Sequence, residues 1–135
     1  MKKLLLALML MATGFDVEAQ NNDTPELQDA GEEVFQVVEK DPEFENGMEG
    51  LYQYLATHLQ YPDEAKEKKI EGRVYVRFIV EKDGTVTNVE VIHSPDPMLS
   101  AEAMRVVKAM PKWKPGRQRG KKVRVQYNLP INFKL

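Results

Sequence analysis

The sequence predicts an α+β fold: an antiparallel three-stranded sheet in strand-strand-helix-strand order, with helices packed on one face. Three observations carry this. Val74, Val76, Phe78 and Val80 alternate with Tyr75, Arg77 and Ile79, and an Asp83-Gly84 turn signal follows. Leu99, Ala103, Val106, Val107 and Met110 recur at the spacing of one helix face. Val123, Val125, Tyr127, Leu129, Ile131, Phe133 and Leu135 alternate with mostly polar residues, the cleanest two-residue period in the chain.

The N-terminus is read separately from this domain. Met1-Lys2-Lys3 precedes an apolar run over 4–12 and the small residues Val17 and Ala19, the outline of a cleavable signal peptide over 1–19. An uncleaved anchor is the competing expectation, but residues 4–15 as helix cover only about 18 Å, against a hydrocarbon core of roughly 30 Å. Residues 20–33 are polar, carry Pro25 and Gly31, and show no apolar period, so a disordered leader is expected there. The expected location is the periplasm. With no cysteine, disulfides, thiolate metal sites, cysteine nucleophiles and a lipid-modified cysteine are excluded together.

The domain is expected over 34–135. A short strand is expected at 34–38, ended by Asp41-Pro42. Leu51, Tyr54, Leu55 and Leu59 make a helical stripe over 50–59, broken at Tyr61-Pro62 because the residue before proline is pushed out of helical space. A second short helix follows over 63–69. The return strand over 85–93 slips phase between Val86 and Val89, which predicts a bulge. Asp96 or Ser100 caps the next helix, and Pro111 ends it. Residues 117–122 are expected to form a basic loop.

Proline dictates a further expectation in the last strand. Successive residues of a strand turn their N–H and C=O groups to opposite edges, and Pro130 has no N–H to donate. Odd-numbered residues therefore bond inward, while Arg124, Gln126 and Asn128 present free backbone groups at a sheet edge. An extended peptide adds itself to such an edge through main-chain hydrogen bonds; the bland alternative is an edge covered by the basic loop or by self-association.

Catalytic chemistry is poorly represented, and no enzyme is predicted. His58 and His93 are far apart and belong to no metal pattern, and no nucleophile elbow, phosphate loop or dinucleotide fingerprint occurs. Glu39, Asp41, Glu43 and Glu45 read as solvated charge. No cofactor or metal is expected. The net charge of -2 hides an asymmetry: 23–64 is acidic apart from Lys40, and no acid follows Glu102. An acidic segment folding over a basic one, or a basic face for an anionic partner, each explains it. The cations around Trp113 resemble a nucleic-acid footprint, but export argues against nucleic acid. Trp113 is then a core or turn residue, and Arg117, Arg119, Lys121 and Lys122 are available to anionic polysaccharide.

Leu59-Gln60-Tyr61-Pro62, Ile70-Glu71-Gly72-Arg73-Val74, the Asp83-Gly84 turn, Ala103-Met104-Arg105, Met110-Pro111-Lys112-Trp113-Lys114-Pro115-Gly116, Gly120 and Leu129-Pro130-Ile131-Asn132-Phe133 together resemble the C-terminal domain of TonB. The form is that associated with Bacteroidetes bacteria, which Val37-Val38-Glu39-Lys40-Asp41-Pro42-Glu43-Phe44 also fits. The resemblance covers about 34–135. It implies that the last strand binds the TonB box of outer-membrane TonB-dependent transporters by strand addition, in support of energy-coupled nutrient uptake. It places the contact on Val123, Arg124, Val125, Gln126, Tyr127, Asn128 and Leu129, with His58, Leu59, Gln60, Tyr61 and Pro62 nearby. ExbB and ExbD enter as partners only for a membrane-anchored form, and a homodimer through sheet edges is a further arrangement such edges allow. The chain departs from a full transducer, which has an uncleaved membrane helix and a long proline-rich linker; Glu64 also stands where some relatives carry a basic residue. A soluble envelope protein binding anionic polysaccharide or other envelope proteins without energy transduction is the alternative.

Overall fold

In the computed structural model, which describes residues 33–135, the elements run β1 (Val34–Phe35), α1 (Gly47–His58), α2 (Asp63–Glu67), β2 (Gly72–Val80), β3 (Val86–His93), α3 (Pro97–Lys108), β4 (Gly116–Gln118) and β5 (Lys121–Phe133). The expected signal segment and, apart from Glu33, the expected leader lie outside the described residues. No helix among those described is long and apolar enough to cross a membrane.

The α+β architecture and the strand-strand-helix-strand core are as expected, and the sheet is larger than three antiparallel strands. It has five strands in the order β1-β5-β2-β3, with β4 also on β5. β2 and β5 pair antiparallel through nine consecutive residues, from Gly72 opposite Phe133 to Val80 opposite Val125. The ladder runs unbroken through Pro130, opposite Tyr75. A residue without N–H fits an unbroken ladder only where its nitrogen faces away from the partner. Even-numbered residues of β5 thus turn their backbone groups away from β2.

Two short strands join β5: the strand expected at 34–38, here only Val34–Phe35, and β4, which at three residues is too short to show a period. β1 pairs parallel with β5, Val34 opposite Arg124 and Phe35 opposite Val125. β4 pairs antiparallel with β5 from Gly116-Val123 to Gln118-Lys121. The expected basic loop is therefore a β-hairpin. Its two-residue turn, Arg119-Gly120, has positive φ at both positions, 54° and 76°, the geometry that matches strand twist. Arginine at the first position disguises the turn, since asparagine or glycine is the usual occupant. At Asp83-Gly84 the turn is longer than a primed two-residue turn. Gly84 N–H donates to the Glu81 carbonyl and Glu81 N–H to the Thr85 carbonyl, which gives a three-residue loop with Gly84 in the left-handed region at φ 90°. The expected bulge in β3 is present: the register shifts between Arg77-Glu90 and Ile79-Thr87, and Asn88 sits at φ 50°.

The core lies between one face of the sheet and the helices. Val74, Val76, Phe78 and Val80 of β2 and Leu129, Ile131 and Phe133 of β5 meet Leu51 and Leu55 of α1 and Leu99, Ala103, Val106 and Val107 of α3. Asp96 caps α3 by accepting from Met98 N–H, with Pro97 at the first turn. Trp113, 3% exposed, is a core residue. Phe44, Phe78 and Tyr127 stand edge-on or tilted to it at centroid distances of 5.4, 5.6 and 4.9 Å. Its Nε1 has no hydrogen-bond acceptor among the described residues.

Candidate functional site

The outer edge of β5 changes character along its length. At Arg124 and Val125 it is taken by β1, so the open edge expected at Arg124 is already occupied by the chain itself. From Gln126 onward no described strand pairs with it on that side. Asn128 and Asn132 turn backbone N–H and C=O groups outward there, Gln126 offers its C=O while its N–H serves the bridge to Phe35, and Pro130 contributes only its carbonyl.

Beside this open stretch runs α1. Its first turn meets β5 where Tyr127 Oη approaches Met48 Sδ at 3.9 Å. Beyond its last turn, the Tyr61 ring stands at 85° to Phe133 with centroids 5.7 Å apart. Helix and strand thus run in the same direction. Between them lies a groove of about 370 Å³ lined by Tyr52, Leu55, Ala56, Leu59 and Tyr61 on one side and residues 130–134 on the other. A second hollow of about 240 Å³ lies at the Tyr127 end, between 41–44 and Met48 and Leu51. Alternate side chains of a strand laid on the open edge face these hollows.

The segment 58–62 is held in place from the far side by α3. Arg105 Nη2 donates to the His58 carbonyl at 2.9 Å, and Gln60 N–H donates to Glu102 Oε2 at 2.6 Å. Arg105 also grips Glu102 through Nε and Nη2 at 2.8 and 2.7 Å. The guanidinium holds the Glu102 carboxyl below its usual range, with the Gln60 amide adding to this. Tyr61 Oη donates to the Ile70 carbonyl. His58 stacks on Tyr54 at 4.3 Å. With these backbone groups satisfied by the fold, Leu59 and Tyr61 are left facing the groove.

The start of β5 is clamped by Arg124, whose Nε donates to Glu81 Oε1 at 2.7 Å and Nη2 to Oε2 at 3.2 Å. Arg124 and, after it, Thr87 keep the Glu81 carboxyl below the ordinary range despite its burial. Burial raises the Tyr127 phenol, reinforced by Asp41 and Tyr52.

The sequence-predicted residues therefore fall into four groups. Gln126, Tyr127, Asn128 and Leu129 lie on the open stretch, Leu129 buried and Asn128 exposed. Val123, Arg124 and Val125 lie where β4 and β1 cover β5. Leu59 and Tyr61 share the groove with 130–134; Gln60, Tyr61 and Pro62 also line a hollow against α3. Arg117, Arg119, Lys121 and Lys122 form the β4–β5 hairpin, all exposed. Tyr52, Leu55, Ala56 and residues 130–134 are groove residues that the sequence does not mark as a site. Their signal was the continuing alternation of the last strand and the stripe of α1, whose meeting only the tertiary fold produces. Among the described residues no group of three or more His, Asp or Glu is placed to hold a metal ion.

An α+β unit whose sheet ends in an unpaired stretch of strand beside a helix-lined groove is a protein-interaction domain in class. The family model for the Gram-negative bacterial TonB protein C-terminal matches residues 57–135, more than half of the chain, and the chain belongs to that family. Members of this family interact with other proteins, outer-membrane transporters among them. Two NMR solution structures of Helicobacter pylori TonB-CTD share the fold. The one of residues 179-285 is 26% identical at TM-score 0.50, covering 63% of this chain and 77% of that one. The one of residues 194-285 is 25% identical at TM-score 0.51, covering 64% and 91%. The solution NMR structure of Pseudomonas aeruginosa TonB CTD is 31% identical over 56% of this chain and 77% of that one, at TM-score 0.48. No curated protein matches the chain. Residues 33–56, which supply β1 and most of α1, precede the stretch the family model matches.

Proposed function

We propose that this domain docks an extended segment of a partner protein on the outer edge of β5, the partner being the TonB box of outer-membrane transporters, in support of energy-coupled uptake across the outer membrane from the periplasm. The observation that carries this is the edge from Gln126 onward, unpaired among the described residues and bordered by a groove against α1. Main-chain hydrogen bonds to Gln126, Asn128 and Asn132 supply affinity, and the two hollows select alternate side chains. The contact proposed for Val123–Leu129 thereby extends toward residue 134, and Leu59 and Tyr61 form its far wall. Membership of the TonB C-terminal family supports the choice of partner.

The test is titration calorimetry with a synthetic peptide copying the TonB box of an outer-membrane transporter. Asn128→Pro with Asn132→Pro removes two outward N–H donors that no described strand takes. Binding should weaken at least about tenfold, as expected for two lost hydrogen bonds of about 1 kcal/mol each. Unchanged affinity in the folded variant would rule out addition at this edge.

A further inference from the structure

The β4–β5 hairpin carries an arrangement that edge docking does not use. Lys122 lies directly opposite Arg117 across the hairpin. Arg117 lies directly opposite Lys40 on its other side, where Lys40 N–H and Arg117 N–H exchange hydrogen bonds with each other's carbonyls at 3.1 and 2.9 Å. Directly paired residues put their side chains on one face about 5 Å apart, so three cations stand in a row across three adjacent backbone segments. All three are exposed, and no carboxylate among the described residues pairs with any of them. Like charges directly opposite are destabilising.

Three of the nearby acids are engaged by other groups. Glu39 accepts from the Arg119 N–H at 2.9 Å, Glu81 is held by Arg124, and Glu43 faces Lys114 at 3.9 Å. The guanidinium of Arg117 donates to the Gly120 carbonyl. Arg119 adds a further cation at the turn, in a left-handed conformation that disfavours any side chain, and Lys121 adds one on the opposite face of the hairpin. The segment bearing Glu39 folds against this turn, Glu39 N–H donating to Gln118 Oε1 at 2.9 Å. Two residues before Glu39, Val37 is 84% exposed, the most exposed large apolar side chain described.

We infer that the hairpin tip is a membrane-surface contact, in which Lys40, Arg117 and Lys122, with Arg119 and Lys121, meet the phosphate groups of an anionic bilayer while Val37 enters the headgroup layer. A planar array of phosphates relieves the repulsion within the row and engages cations on both faces of a projecting turn together. A soluble polyanion needs no exposed apolar side chain among the cations, whereas an interfacial contact combines the two. The contact is independent of the open stretch of β5, and would set the domain against a membrane while that edge stays available.

The test is co-sedimentation of the full chain with vesicles of about 30% phosphatidylglycerol in phosphatidylcholine, against phosphatidylcholine alone. The apolar run over 4–12 contributes to both mixtures, so the readout is the difference between them. Combined Lys40→Gln, Arg117→Gln and Lys122→Gln should reduce the anionic-lipid component at least about tenfold, given roughly fivefold per cation near a charged surface, without lowering the melting temperature. Val37→Ser should weaken it further, and Lys66→Gln with Lys69→Gln and Lys108→Gln should leave it within about twofold. The proposal is overturned by equal binding to both lipid mixtures, by wild-type binding in the row variant, or by a row variant that melts well below wild type. Binding to soluble polyphosphate without binding to vesicles would also overturn it, in favour of a polymer partner.

Discussion

Val34 lies opposite Arg124 in parallel pairing, so the chain's own first strand holds the beginning of the edge whose continuation is open. The pairing is two residues long, and an incoming strand that extends past Gln126 has to displace it. Phe35→Pro removes a backbone donor and locks φ in β1. The amide of Arg124 should then exchange faster with deuterium, and a TonB-box peptide should bind a few-fold more tightly with a footprint reaching Arg124. Identical exchange and affinity would mean that β1 does not compete.

Proline scanning of β5 should separate its two edges. Asn128→Pro or Asn132→Pro removes an outward N–H and should cost about 1 kcal/mol or less, as Pro130 is already accommodated in the same phase. Tyr127→Pro breaks the ladder opposite Phe78 and should cost about 3 kcal/mol or more. Urea midpoints measure both, and equal costs would contradict the assignment of edges.

Gly84 combines two constraints. Its φ is +90°, and a Cβ there would stand 2.1 Å from the Trp113 carbonyl oxygen, while its own carbonyl accepts from Trp113 N–H at 2.8 Å. Gly84→Ala should therefore cost more than the roughly 1–2 kcal/mol of a left-handed residue alone. Thermal unfolding followed by the fluorescence of the single tryptophan would check this.

Acid should weaken the domain through Glu81 and Glu102. Hydrogen bonds from Arg124 and Arg105 hold both carboxyls below their ordinary range, so the unfolded chain binds protons more readily than the folded one. Their stabilisation is complete above the usual glutamate value of about 4.3 and is lost as pH falls through the lower folded values. Urea midpoints should drop across that window. Glu81→Gln should cost about 1–3 kcal/mol at neutral pH and flatten the drop.

The open edge and the groove beside it are only half legible in the chain. The phase of Pro130 tells which side of β5 faces outward, because a missing N–H is a local covalent property. What lies on that side is not local. Val34 and Phe35 read as part of a short strand, but nothing in them names a partner, and they reach Arg124 and Val125 across about ninety residues of sequence. The hairpin at Arg119-Gly120 was hidden for a different reason: its turn residue is chosen against conformational preference, so the cations spelled a loop.

The sequence by itself determined the α+β class, the β2–β3 hairpin, the face of α3 and the alternation of β5, since hydrophobic period, proline and glycine act over a few neighbouring residues. It also carried the family resemblance that the match over 57–135 bears out. Only the tertiary structure decided that β1 covers one end of the edge, that α1 runs beside the other, and that Lys40, Arg117 and Lys122 stand side by side. Those relationships depend on register between segments distant in the chain, which is set by how the whole core closes.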